Sequence, residues 1–400
     1  MKAKLFISLL ILLISSALAS GLHAETRARF LFIGDIMAHQ QQLDAARYKG
    51  KNKALRNTYD FSPQFRRVKP LLINSFLVGN LETVFAGTVQ GKRKINYSGY
   101  PMFNTPDSLI NALSDDLEVD LLTLANNHIF DKGSEGARRT AEVLDSADLH
   151  WTGLGLDDVP SNDAYILDNN GITAAFVNYT YGSNLWPKDN KDVHLNTISD
   201  KNIIAGLERA KSFKPDVIIA CFHWGNEYHY KPNSHQIRAA DTAFDNGASL
   251  LVGTHPHVLQ PVEVRVSSND VKAVAWSLGN FVSFQRTLPR ERSYILSAEF
   301  VKDDSGATRL AKLGAAPLYV VAPGQKRTEV TYSGTDENTI NKLDFKGLSK
   351  SMLAKIRRTG RAVLDFLGAG DDVDEYGFYT LWTEDEPDKL PVSRRKSPKD

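Results

Sequence analysis

Phe30-Leu31-Phe32-Ile33-Gly34-Asp35-Ile36-Met37-Ala38-His39 is the stretch that decides the fold. An unbroken apolar run suits a strand covered on both faces, and this one stops at a glycine followed by a carboxylate and then an imidazole. The design returns along the chain. Apolar runs at 76–78, 121–124, 174–179, 217–222, 250–252 and 271–276 also end abruptly in polar, Gly-containing loops. Helical patterns lie between them. Thr105-Pro106 reads as a cap followed by Pro, with Leu109, Ile110 and Leu113 on one face. Gly133-Ser134 opens a segment over 134–147, and Ile237, Ala240 and Phe244 line another helix. Strands alternating with helices predict an α/β layered fold.

Strand carboxyl ends gather on one edge of such a sheet, where ligands bind. The ends here carry Asp35 and His39, then Gly79-Asn80-Leu81-Glu82, then Ala125-Asn126-Asn127-His128. His223-Trp224-Gly225 and Gly253-Thr254-His255-Pro256-His257 follow. Imidazole and carboxylate oxygen are ligands wanted by divalent Mn, Fe, Zn or Ni. Each piece alone has an ordinary alternative: a lone His as a cap, or Asp35 as an Asx-turn. Five donor-bearing ends in order outweigh those alternatives.

The same motifs resemble the CapA family of poly-γ-glutamate capsule synthesis, on a calcineurin-like metallophosphoesterase fold. Besides those already quoted, the matching stretches are Tyr59-Asp60-Phe61 with Pro63, Tyr97-Ser98-Gly99-Tyr100-Pro101, and Phe103-Asn104-Thr105-Pro106. Asp131, Gly133, Glu227-Tyr228, Gln260-Pro261, Glu263 and Ser277-Leu278-Gly279-Asn280-Phe281 continue the likeness over roughly 28–285. The resemblance implies a four-layer α-β-β-α sandwich whose loops carry two divalent metals, Mn, Fe or Zn. It puts Asp35, His39 and His257 at one ion and Asn127, His223 and His255 at the other, with Glu82 or Asn80 bridging. His128 would be the proton donor or an oxyanion-stabilising cation, catalytic together with Asp131. Trp224, Glu227, Tyr228 and Asn280 would meet substrate, while Trp224 and Tyr228 have the alternative of simply packing the loops together. Three residues separate Asp35 from His39 where a standard phosphoesterase has one, and Asn80-Leu81-Glu82 stands in place of its bridging aspartate.

The remainder bounds the setting. The chain has 400 residues, 42% hydrophobic, with net charge +1, so overall charge selects no partner. Lys2 and Lys4 precede an apolar run at 5–14, with small residues before Ala19 and Ala24. That pattern predicts a signal peptide over 1–24, cleaved after either alanine, and a periplasmic or other extracytoplasmic location. A main domain over 25–322 and a C-terminal extension over 323–400 follow. The extension reads as polar turns at 323–347, an amphipathic helix at 348–367 weakened by Gly360, and a loose tail. Cys221 stands alone, so no internal disulfide can form.

Arg47, Lys49, Lys51, Lys53, Arg56, Arg66, Arg67 and Lys69, then Lys92-Arg93-Lys94, flank the motif loops. They suggest a surface that draws in a polyanion such as polyglutamate; a solvated basic face without a partner is the alternative. No nucleic-acid motif appears. The leading expectation is an exported protein of capsule polymer synthesis or export. A stand-alone periplasmic phosphoesterase acting on an envelope phosphoester, and a non-catalytic scaffold for membrane synthase components, are the alternatives.

Overall fold

Period-two alternation places the strand Thr26–Ile36 between two cores. Ala28, Phe30 and Phe32 enter an apolar layer shared with Phe176, Ile219 and Val252, while Leu31 and Ile33 face Leu77, Leu122, Ala137 and Leu144 on the other side. The computed structural model describes residues 25–52, 58–157, 164–188, 192–267, 270–322, 328–343 and 345–387. The segment expected to be a signal peptide, 1–24, therefore lies outside the described residues. So does most of the tail.

One sheet has nine strands, in the order Glu329–Tyr332, Thr308–Val321, Arg292–Lys302, Thr26–Ile36, Phe76–Leu81, Leu121–Thr123 and His150–Thr152. Asn280–Val282 joins it beside Thr26–Ile36, and Tyr379–Thr383 beside Thr308–Val321. The other sheet has six strands, in the order Leu259–Val266, Val271–Leu278, Leu250–Thr254, Val217–His223, Ile172–Thr180 and Tyr165–Asn169. Both mix parallel and antiparallel pairs. Ile219 and Cys221 face inward, whereas Ile218, Ala220 and Phe222 meet the helices Asp200–Ser212 and Ser234–Asp245. Helix Gly133–Ser146 covers the far side of the large sheet. The result is the four-layer α-β-β-α sandwich the resemblance implies.

Six of the seven apolar runs lie wholly in strands, and the run at 121–124 extends one residue past the strand Leu121–Thr123. The helix expected from Thr105-Pro106 starts later, at Ser108. Thr105 stays out of it because its N–H bonds Val84 O at 2.9 Å and its hydroxyl lies 2.7 Å from that of Thr83.

The C-terminal segment differs more from expectation. It supplies the strands Glu329–Tyr332 and Tyr379–Thr383 to the large sheet, so the polar turns at 323–347 contain a buried strand. Helix Lys350–Leu367 is capped by Ser349 and packs Ile356 against Tyr319 and Val321. Gly360 does not weaken this helix but permits its docking: a Cβ there would sit 1.7 Å from Ser333 O. Among the described residues, no helix is long and apolar enough to cross a membrane.

Candidate metal centre

The strands bring their polar ends together by register. Asp35 lies opposite Asn80 and Asn280, and His223 opposite Thr254 and Thr180. Gly34 is required here, because any Cβ would fall 1.8 Å from Gly279 O. Asp35 is sealed from solvent. Its Oδ1 accepts from Asn80 Nδ2 at 2.7 Å, and its Oδ2 lies 3.1 Å from His257 Nδ1. His257 Nδ1 is also 2.9 Å from Asn280 Oδ1, so two oxygens fix the ring.

Glu82 sits at the middle. It is 0% exposed, and while it is ionised neither of its oxygens meets a donor among the described residues; only its protonated form can bond Asp35. Its Oε1 lies 3.7 Å from His223 Nε2, 3.8 Å from His257 Nε2 and 3.9 Å from His128 Nε2. Burial, reinforced by the charge of Asp35, raises its carboxyl well above the usual range. His223 and His255 shift oppositely: burial first, then neighbouring imidazoles, keep both neutral. His39 is lowered to about 4 by burial and then by His257 and His128.

His255, with φ of 95°, and His257, with φ of 56°, adopt backbone conformations that L residues rarely take. Pro256 between them accepts the Tyr228 N–H at 2.8 Å, which holds the loop in place. Such strain is kept where the surroundings over-determine it, as at functional sites. His255 Nδ1 is buried with no partner.

Orphaned oxygens on Glu82 and an orphaned nitrogen on His255 are what a cation site needs. Ligand atoms of Glu82, His223 and His255 lie within 4.8 Å of one another, as do those of Asp35, Glu82 and His257, and of Glu227, His255 and His257. The donor set is imidazole and carboxylate, which suits a borderline divalent ion. The residues fit the metals the resemblance implies. Asn127 Oδ1 is 2.8 Å from His223 Nε2. Among the described residues His39 joins none of these carboxylate groups, and its Nδ1 accepts Phe284 N–H at 3.3 Å. Asn80 bonds Asp35 and borders His223 at 3.3 Å, which leaves the central position to Glu82.

His128 stands beside this group, its Nδ1 held by Asp131 Oδ2 at 2.8 Å. Asp131 also accepts Phe103 N–H at 2.6 Å, and the Phe103 ring meets His128 edge-on at 4.7 Å. One orienting segment was not apparent from the motifs. Tyr181 lies 4.5 Å from the His255 ring, and Asn184 Nδ2 lies 3.5 Å from His128 Nε2. Both follow Ile172–Thr180, whose apolar run was itself a signal that the next loop reaches the site.

Two of the residues expected at the substrate are buried. Trp224 is 1% exposed, stacked on Phe222 and Trp276, and donates its indole N–H to Trp276 O at 3.0 Å. It is a core residue because neighbours of a strand end face opposite ways, and His223 takes the inner face. Asn280 is also buried, and its Oδ1 orients His257. Glu227 and Tyr228 remain at the exposed rim. The basic stretch does not form one face either. Arg67 is buried in an ion pair with Glu329, Arg66 is 3.6 Å from the same carboxylate, and Lys69 is 3.4 Å from Glu118. Lys53 and Arg56 lie outside the described residues.

The family model for bacterial capsule synthesis protein PGA_cap matches residues 29–285, which contain every residue of this centre. The chain belongs to the PGA_cap family. It is 27% identical over 346 residues to the capsule biosynthesis protein CapA of Bacillus anthracis, covering 85% of this chain and 78% of that one. It is 27% identical over 281 residues to the PGA biosynthesis protein CapA of Bacillus subtilis (strain 168), covering 69% and 68%. A solved 5'-nucleotidase precursor from Thermus thermophilus aligns with TM-score 0.43 and 11% identity, over 85% of this PGA_cap chain and 58% of that one.

Proposed function

We propose that this PGA_cap chain is exported and acts on an anionic capsule polymer of the poly-γ-glutamate type, in its synthesis or export, at a centre for two divalent cations. The observation that carries this reading is Glu82, a buried carboxylate without a partner among inward-facing imidazoles. Asp35, His39 and His257 would hold one ion and Asn127, His223 and His255 the other, with Glu82 between. Bound there, the ions supply Lewis-acid charge and acidify water for hydrolysis or transfer.

The protein's own part is positioning and proton handling. Asp35 and Asn280 lock His257, and Asn80 and Thr254 flank His223 Nδ1. Asp131 fixes the His128 ring through Nδ1, leaving Nε2 turned toward Glu82 and Asn184. From that position His128 exchanges a proton with a leaving group. The same pair favours a second reading, cleavage of an envelope phosphoester, since that reaction needs a placed acid.

Three measurements test these readings. Metal-loaded mature protein should bind or turn over poly-γ-glutamate, and the double variant His223→Ala, His255→Ala should not. Protein that neither binds anionic polymer nor cleaves any ester or amide, with envelope polymers intact after gene deletion, would contradict the polymer role. Hydrolysis of small phosphodiesters, lost in Asp35→Ala, would support the second reading, and inertness with metals bound would remove it. Intact mass of the exported protein should show a start after Ala19 or Ala24; a full-length, membrane-retained species would contradict export.

A further inference from the structure

We propose that Arg290 is the anchor for a substrate oxyanion at this centre, placed so that an anionic group beside the reacting bond is held as the bond is presented to the metal-type cluster. The inference rests on the polymer reading above and names how that polymer is gripped. It concerns a residue just beyond the segment matched by the family, which ends at 285.

Placement comes from both main chain and side chain. Arg290 O accepts from Asn280 Nδ2 at 3.3 Å, and the same Asn280 holds His257 through Oδ1. The guanidinium lies 4.4 Å from the centre of the Tyr228 ring. Tyr228 follows Glu227, whose carboxylate groups with His255 and His257. Its ring is 6.1 Å from that of His257 and 41% exposed. Arg290 is thus a part-buried cation on the wall of the site, linked to His257 through Asn280 on one side and Tyr228 on the other.

Its side chain also hydrogen-bonds Tyr228, but no carboxylate among the described residues neutralises its charge. Among the described residues Arg290 makes no ion pair. Its neighbour Arg286 is already spent on Glu291 at 3.0 Å, and also bonds the Tyr319 hydroxyl. Glu291 in turn is buried and bonded by Lys355 of the C-terminal helix at 3.0 Å. That network pins the loop immediately after Arg290 and leaves its guanidinium without a carboxylate. A guanidinium held on an aromatic ring can still turn an edge to a carboxylate or phosphoryl group and make two parallel hydrogen bonds. Near His255 and the His128 loop stand Tyr181, Leu185 and Trp186, all 42–53% exposed, which offer an apolar wall for the body of an extended chain. One cationic wall and one aromatic wall fit a polymer that bears a regular oxyanion on an apolar stem.

The test titrates a fluorescent γ-linked glutamate oligomer into the full, metal-loaded chain at low salt. A methyl-esterified oligomer and phenyl phosphate serve as companion ligands. Arg290→Ala and Arg290→Gln should each weaken the acid oligomer about tenfold or more, with metal content unchanged and the esterified oligomer unaffected. Arg290→Lys should recover only part of the loss, because a point charge cannot chelate two oxygens. Gln keeps the stem over Tyr228, so its loss cannot be ascribed to failed folding. A loss that appears with phenyl phosphate and not with the oligomer keeps the anchor and assigns it to a phosphoryl substrate. Wild type that binds while Arg290→Gln binds equally overturns the anchor alone. Wild type that binds none of these ligands overturns the polymer reading and the anchor with it.

Discussion

Glu82 and Glu329 are both shut away from water, at 0% and 2% exposure, and their surroundings are opposite. Glu329 is met by Arg67, itself 2% exposed, with Arg66 at 3.6 Å. Glu291 repeats this pattern with Arg286 and Lys355 at 3.0 Å each. Among the described residues Glu82 has no arginine or lysine partner. Three imidazole nitrogens stand 3.7–3.9 Å off, and burial keeps His223 neutral. A buried carboxylate left charged and alone costs several kcal/mol, so such a group either takes up a proton or is completed by a cation. Glu329 belongs to the architecture, and Glu82 is the residue the proposed cation site is built on.

The comparison breaks most visibly through Arg67. Arg67→Met should lower stability by about 3–5 kcal/mol, because it leaves Glu329 buried beside only a partly exposed arginine. Urea titration should give the same loss with and without divalent ion. A loss that metal restores would mean the two carboxylates are not separate systems.

Acidity gives the next effect. His39, His223 and His255 have folded pKa values below their unfolded ones, so their contribution is complete above about pH 6.5 and is lost as pH falls through the folded values. For His39, lowered to about 4, the loss across that window is of the order of 3 kcal/mol in metal-free protein. Urea midpoints measured from pH 7 to pH 4 should fall steeply; a flat profile would contradict neutral buried imidazoles.

Glu82→Gln should move the other way. Glu82's folded pKa is raised, so its ionisation works against the fold increasingly as pH climbs above about 4.5. Removing the charge should stabilise metal-free protein by about 1–3 kcal/mol at pH 8 and abolish the stabilisation that added Mn or Zn gives wild type. Destabilisation of the metal-free protein would show that the carboxylate has a partner after all. The smallest expected effect is in Asn280→Ala, which loosens His257 and should weaken metal binding about 10–100-fold without removing a ligand.

The centre is legible in sequence because its donors sit where apolar runs stop, and a run that stops marks a strand end. Asp35, Glu82, His223, His255 and His257 all follow that rule. Trp224 misleads because adjacency in a motif suggests a shared face, while the strand turns neighbours apart. Glu329–Tyr332 looks like polar loop because its burial comes from pairing with Thr308–Val321 and from Arg67, the latter distant in sequence. Gly360 reads as a helix weakness because the chain segment it admits, at Ser333, is invisible from the helix itself. Asn184 and Arg290 lie in loops without a motif, and only the folded chain shows what they face.

If the proposal holds, Glu82 and the imidazoles around it are completed by divalent ions. Elemental analysis of the purified mature protein, wild type beside the His223→Ala, His255→Ala double variant, tests it most directly. Wild type should carry close to two equivalents of a transition metal, and the variant should lose them. Folded wild-type protein that stays metal-free after incubation with Mn and Zn would contradict it.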